Sequence, residues 1–213
     1  MNIDLGYIVA VFVISIISVI LHELMHGVVA YWLGDQTAKM SGRLTLNPIK
    51  HIDPVMSIIV PVFLALIGAP VFGGAKPVPI NTRNLKWGEW GFALVAIAGP
   101  LTNIILAFIF FLIGHCTGMF YVDGLGGMIC MTGMVLNMGF ALFNIIPIPP
   151  LDGSRVLYAL APDSVKAFMQ TLERYGFIVV YALIWIFGSA LSVYFANGEK
   201  GILTVFYWIV GVR

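Results

Sequence analysis

From Leu5 to Ile20 the chain carries no charged residue, and this run leads directly into Leu21-His22-Glu23-Leu24-Met25-His26. It opens the first of five apolar stretches, at residues 5–33, 55–72, 91–114, 126–148 and 175–195, with a short run at 202–212 behind them. A span needs about 20 apolar residues to cross about 30 Å of hydrocarbon. The first, third, fourth and fifth stretches reach that length. The last run does not, and is expected in the interface or buried against the bundle. Composition points the same way: 60% of the 213 residues are hydrophobic and 10% are charged, where an average soluble domain carries about 25% charged residues. The expected fold is an all-α polytopic membrane protein, a helical bundle of about five to six transmembrane segments in a lipid bilayer. No fixed-period repeat or long linker divides it, so residues 1–213 read as a single domain. The first stretch has no basic flank and no small-residue cleavage site, and is expected to be a retained span rather than a removed signal peptide.

The net charge of +1 argues against nucleic acid as a partner. The placement of the basic residues says more. Lys39, Arg43 and Lys50 lie between the first and second stretches, Lys76, Arg83 and Lys86 between the second and third, and Arg155, Lys166 and Arg174 between the fourth and fifth. If every stretch crossed once, the first two basic loops would fall on opposite faces, against the tendency of short cytoplasmic loops to gather Lys and Arg. The second stretch contains Pro61 and Pro70 and runs into Gly68-Ala-Pro-Val-Phe-Gly-Gly-Ala-Lys-Pro-Val-Pro-Ile-Asn81, a composition that breaks helices. It is therefore expected to dip into the membrane and return as irregular or strand-like structure shielded by protein; an ordinary span ending at Pro70 is the alternative. With the dip, the amino terminus is outside and the His-Glu pair lies on the cytoplasmic side.

On a helix, residues four apart share a face. His22 and His26 can thus present two imidazoles to one metal ion while Glu23 reaches a water beside it. Catalytic zinc usually takes three protein ligands, so another acid or histidine is needed at membrane depth. Asp152, in Phe143-Asn-Ile-Ile-Pro-Ile-Pro-Pro-Leu-Asp-Gly-Ser-Arg155, stands out, because a carboxylate at the edge of an apolar run is costly unless it meets a cation. Zinc with two neutral histidines and one aspartate lowers the pKa of a bound water towards about 7, and Glu23 is placed to take its proton. Counted from Leu5, His22 lies roughly 26 Å along its helix, inside the hydrocarbon but within reach of the interface.

The motifs His22-Glu-Leu-Met-His26, Ala96-Ile-Ala-Gly-Pro-Leu-Thr-Asn103 and Asn144-Ile-Ile-Pro-Ile-Pro-Pro-Leu-Asp-Gly153, in this order, resemble the site-2 protease family of intramembrane zinc metalloproteases. Gly42-Arg-Leu-Thr-Leu-Asn-Pro-Ile-Lys-His-Ile-Asp-Pro54 and Gly73-Gly-Ala-Lys-Pro-Val-Pro-Ile-Asn81 are similar to its compact branch without PDZ or CBS domains. The resemblance implies one Zn2+ held by His22, His26 and Asp152, Glu23 as general base, and a transmembrane protein as substrate. It also implies a zinc site near the cytoplasmic side of a multi-pass cell-membrane protein. The family often pairs an extended segment with unwound substrate, which here singles out Ala75 to Asn81 and within it Lys76, Pro77 and Val78; Pro77 and Pro79 leave only one edge able to bind.

Further residues carry two readings each. Asn144 and Asn103 are candidates for holding substrate backbone or an oxyanion; Asn103, four after Gly99, equally suits helix packing and interhelical hydrogen bonding, and Asn144 suits satisfying carbonyls near Pro147. His51 and Asp53 make a second metal pair on paper, but Asp before Pro commonly caps a helix. Cys116 and Cys130 read as free apolar cysteines, with a disulfide as the alternative. Three functions fit: an intramembrane endopeptidase; a different membrane zinc hydrolase or CAAX-type protease, which leaves the Leu-Asp-Gly ligand unexplained; and a non-catalytic metal-binding or scaffold protein, which has no use for Glu23. Substrate identity and oligomeric state stay open, a homo-oligomer included.

Overall fold

The computed structural model describes residues 5–66 and 74–211. Among them are α1 (Leu5–Trp32), α2 (Thr37–Met40), α3 (Val60–Leu66), α4 (Gly88–Cys116), α5 (Leu125–Asn144), α6 (Gly153–Leu160), α7 (Asp163–Arg174) and α8 (Gly176–Ile209), and no strand. Helices α1, α4, α5 and α8 are long and apolar enough to cross a membrane. Their outer faces are bare hydrocarbon: Phe12 and Ile17 on α1, Leu101 and Ile105 on α4, and Trp185 and Val193 on α8 are all exposed. An apolar surface of that extent is stable against lipid, not water. The chain is an all-α membrane protein.

Four helices of spanning length stand where five to six segments were expected, and the difference has two sources. The runs at 175–195 and 202–211 belong to one 34-residue helix, α8, interrupted only by non-helical backbone at Phe187 (φ −107°, ψ 17°). Its far end is buried against the bundle, where Phe206 packs with Ala107 and Phe111 of α4 and Met134 and Met138 of α5. The second apolar stretch forms a π-helical turn, Pro54–Ile59, and the short α3; its residues 67–72 lie outside the described residues. Where the chain resumes, the Gly74 N–H donates to the Met56 carbonyl (3.0 Å) and Ser57 Oγ donates to the Gly74 carbonyl (2.7 Å). The two described ends of the excursion therefore lie side by side, as the expected dip requires. From Gly74 to Asn81 the chain has no regular secondary structure, the irregular form rather than the strand-like one.

Helix α4 is central and packs on α1, α5 and α6. Pro100 lies inside it and has no N–H for the Ala96 carbonyl, which opens the ladder at that turn. Gly99 lets α1 close on the same turn, since a Cβ there would lie 2.5 Å from His22 Cε1 and from His26 Cε1 and Nε2. Gly153 answers a close approach: a Cβ on it would overlap the Ile145 carbonyl oxygen. The Leu151 side of that turn is packed by Ile146 and by Val180 and Leu183 of α8. Gly99→Ala is expected to lower unfolding stability by about 1–3 kcal/mol through overpacking, read from denaturation in detergent. A stability equal to the wild type would show that α1 and α4 have room to spare.

Candidate metal centre

Helix α1 places His22 and His26 one turn apart on the face buried against α4. The His26 Nδ1 lies 2.8 Å from the Val95 carbonyl. A carbonyl only accepts, so Nδ1 carries the hydrogen and Nε2 keeps its lone pair. The His22 Nδ1 lies 2.6 Å from Asn103 Oδ1, and the orientation of that carboxamide follows from its other end. Asn103 Nδ2 donates to Asn137 Oδ1 (2.9 Å), and Asn137 Nδ2 donates to Ser18 Oγ (2.9 Å) and to the Gly133 carbonyl (2.8 Å). A buried polar chain thus crosses α1, α4 and α5 and ends by fixing the His22 tautomer.

Both Nε2 atoms then face one spot, 3.1 Å apart. Asp152, at the start of α6, brings Oδ2 to 3.1 Å from His22 Nε2 and 3.4 Å from His26 Nε2. That oxygen is buried and makes no hydrogen bond among the described residues. Three acceptor atoms turned on one another repel unless a cation or a proton lies between them. Ligand atoms at ordinary zinc distances in a tetrahedral shell stand about 3.3 Å apart, so the spacing fits zinc. A carboxylate oxygen of Glu23 comes within 4.8 Å of the ligand nitrogens of both histidines, and Glu23 Oε2 accepts the Val78 N–H (3.0 Å). It therefore stands beside the three closest atoms rather than among them.

A cavity of about 330 Å³ opens over this cluster, lined by Glu23, Val78, Ile80, Phe92, Asn144 and Arg155 among others. Of the residues singled out in the sequence, His22, Glu23, His26 and Asp152 come together here, and Pro77, Val78 and Asn144 reach the wall. Asn144 Nδ2 donates to the Phe140 carbonyl (3.0 Å). Asn103 corrects one reading: it is 0% exposed, lies behind His22 with both ends of its carboxamide engaged, and faces a ligand rather than the cavity. Lys76 also departs from expectation, because its side chain is exposed and its backbone is what the fold uses, the N–H on the His51 carbonyl. His51 itself sits on the Thr45 carbonyl (2.8 Å), away from the cluster, and Asp53 caps the turn that follows it by accepting from Val55 and Met56 N–H. Both cysteines are free.

The reading of the sequence passed over Asn137, Ser18, Asp35, Arg43 and Arg155. Arg155 lines the cavity, lies over the Phe92 ring (4.9 Å) and pairs with Glu173 of α7; its place three residues after Asp152 was the only signal. Asn137 and Ser18 give no sequence signal, since an isolated amide or hydroxyl in an apolar helix has many structural uses. Asn103→Ala is expected to cost about 10- to 100-fold in zinc affinity, as loss of a ligand's hydrogen-bond partner typically does; competition with a chromogenic chelator measures it, and wild-type affinity would remove Asn103 from this role.

No protein-family model matches the chain, and no solved structure matches it. Known sequences do. The chain is 46% identical over 175 residues to "Putative zinc metalloprotease YwhC" of Bacillus subtilis, covering 79% of this chain and 76% of that protein. It is 30% identical over 190 residues to the like-named Rip2 of Mycolicibacterium smegmatis (83% and 68% covered) and 35% identical over 153 residues to the like-named MJ0611 of Methanocaldococcus jannaschii (70% and 71% covered). With three imidazole and carboxylate acceptors converging beside a glutamate, and with relatives of this similarity over most of its length, the chain belongs to the compact site-2 protease-like family of zinc metalloproteases.

Proposed function

We propose that this metalloprotease hydrolyses peptide bonds within or next to transmembrane segments of other membrane proteins, with the reaction near the cytoplasmic side of a multi-pass cell-membrane protein. The observation that carries the proposal is the unpartnered Asp152 Oδ2 facing two imidazole nitrogens at the bottom of a cavity reached between membrane-length helices.

His22, His26 and Asp152 would hold the zinc, whose chemistry is that of a Lewis acid that polarises the scissile carbonyl and acidifies water. Everything else is the work of the chain. The Val95 carbonyl and Asn103 each hold an Nδ1–H, which fixes the tautomer and aims the two Nε2 atoms at the cavity. Glu23 takes a proton from the attacking water on a carboxylate oxygen and returns it to the departing amine nitrogen, so the base is regenerated in each cycle. A substrate helix must first expose its backbone. The edge formed by Val78 and Ile80 on the cavity wall is suited to pair with it through the Ile80 N–H and the carbonyls of that edge, since Pro77 and Pro79 leave donors on one side only and the Val78 N–H is held by Glu23. Asn144, also on the cavity wall, would offer its carboxamide to the substrate carbonyl. Arg155 and Phe92 close the cavity on the side of α7.

A scaffold or metal carrier of the same fold would need the ligands but not Glu23. Two variants separate the cases. Glu23→Gln is expected to keep full zinc and lose about 10²- to 10⁴-fold in cleavage of a single-span protein in liposomes, whereas Asp152→Ala is expected to lose both zinc and cleavage. Metal analysis and gel-based cleavage give the readout, and wild-type cleavage by Glu23→Gln would overturn the proposal.

A further inference from the structure

We propose that Asp35 and Arg43 are positioning residues that clamp residues 76–81 along the metal cavity and, through the Val78 amide, set where the Glu23 carboxylate stands. The inference deepens the protease reading and rests on it.

Asp35 lies in the turn after α1 and is 0% exposed. Its Oδ2 accepts the Asn81 N–H (2.7 Å), while Oδ1 accepts from the Thr37 N–H and hydroxyl and from Asn84 Nδ2 (3.2 Å). Burial by itself pushes this carboxyl up, but the hydrogen bonds from Thr37, Asn81 and Asn84 outweigh it and hold it below its ordinary 3.8. It is a carboxylate at neutral pH. Arg43, 7% exposed, grips the other end of the segment: Nη2 donates to the carbonyls of Lys76 (2.6 Å) and Pro77 (3.2 Å). Its Nε is buried without a partner among the described residues, so the compensation the structure shows for it is made at Nη2. Ionic groups this deeply buried persist only where hydrogen bonds compensate them, and each of these two makes at least one such bond to the main chain of the same six-residue stretch.

That stretch cannot hold itself in place. Prolines at 77 and 79 remove two of its donors, and it has no strand partner among the described residues. Between the two clamps lie Val78 and Ile80, both on the cavity wall, and the Val78 N–H meets Glu23 Oε2 at 3.0 Å. A glutamate side chain has three rotatable bonds and no fixed direction of its own. A peptide amide pinned from both sides supplies that direction. The buried pair therefore reaches the reacting groups without touching them.

The test uses the full chain in lipid nanodiscs, with the variants Asp35→Asn, Arg43→Ala and Arg43→Lys. The Asn side chain keeps one acceptor oxygen and replaces the other by an amide donor, which then faces either the Asn81 N–H or the Thr37 and Asn84 donors. Hydrogen exchange by mass spectrometry is expected to rise in a peptide covering 74–85 for Asp35→Asn and Arg43→Ala, with α4 peptides and zinc content unchanged. The kcat for a single-span substrate is expected to fall about tenfold or more, as misplaced catalytic groups do, with Arg43→Lys recovering most of both. Unchanged exchange at 74–85 in both variants would overturn the clamp. Faster exchange with wild-type kcat would overturn its link to Glu23, and protection lost throughout the chain, unrescued by Arg43→Lys, would reduce both residues to general stability. If the wild-type protein itself cleaves nothing, the protease reading fails, and the exchange experiment still decides whether the clamp exists.

Discussion

A carboxylate oxygen of Asp152 facing two imidazole nitrogens at 3.1 and 3.4 Å is the contact around which the helices are arranged. Three acceptors in so small a space are unfavourable together without a cation, and in lipid there is no water to soften the repulsion. The arrangement therefore has to be enforced by everything around it. Helix α4 approaches α1 closely enough only because residue 99 has no side chain, and the turn carrying Asp152 closes only because residue 153 has none. The two imidazoles cannot rotate away, since each is anchored at Nδ1.

The anchoring is unequal, and the inequality is informative. His26 leans on a backbone carbonyl of the turn that Pro100 has loosened, a fixed partner. His22 depends on side chains: Asn103, then Asn137, then Ser18, drawn from three different helices. A chain of buried amides in an apolar bundle is costly unless complete, and this one is complete from end to end. It ties the geometry of one ligand to the packing of α1, α4 and α5 together. On the cytoplasm-facing side proposed above, the same principle recurs in Asp35 and Arg43, buried charges that both hydrogen-bond to the main chain of residues 76–81.

Much of the candidate site is legible in the sequence. His22, Glu23 and His26 are adjacent on one helix, so helical spacing alone brings them to a common point. Asp152 was legible for a different reason: a charge at the end of an apolar run has to be accounted for. The fold-back of the second apolar stretch also left a trace, in the placement of Lys and Arg, and the hydrogen bonds joining Gly74 to Met56 and Ser57 agree with it. Asn103 kept two readings, substrate contact and interhelical hydrogen bonding, because a carboxamide has the same chemistry on either side of a ligand, and its bonds to His22 and Asn137 are of the second kind. Residues 202–211 read as a separate run because Gly198, Glu199, Lys200 and Gly201 look like a break, yet the helix continues through them, its ladder satisfied internally whatever the side chains.

What the amino-acid order determined by itself was local: which segments prefer lipid, which helix face bears two imidazoles and a base, and where a buried charge demands a partner. Each follows from hydropathy or from a helical period, properties of neighbours along the chain. Only the tertiary structure decided which atoms meet across 81 residues at His22 and Asn103, that Arg43 and Asp35 serve the same stretch of backbone, and that the Val78 amide points at Glu23. Those contacts depend on how helices close on one another at positions without side chains, and no local periodicity encodes the direction of that approach.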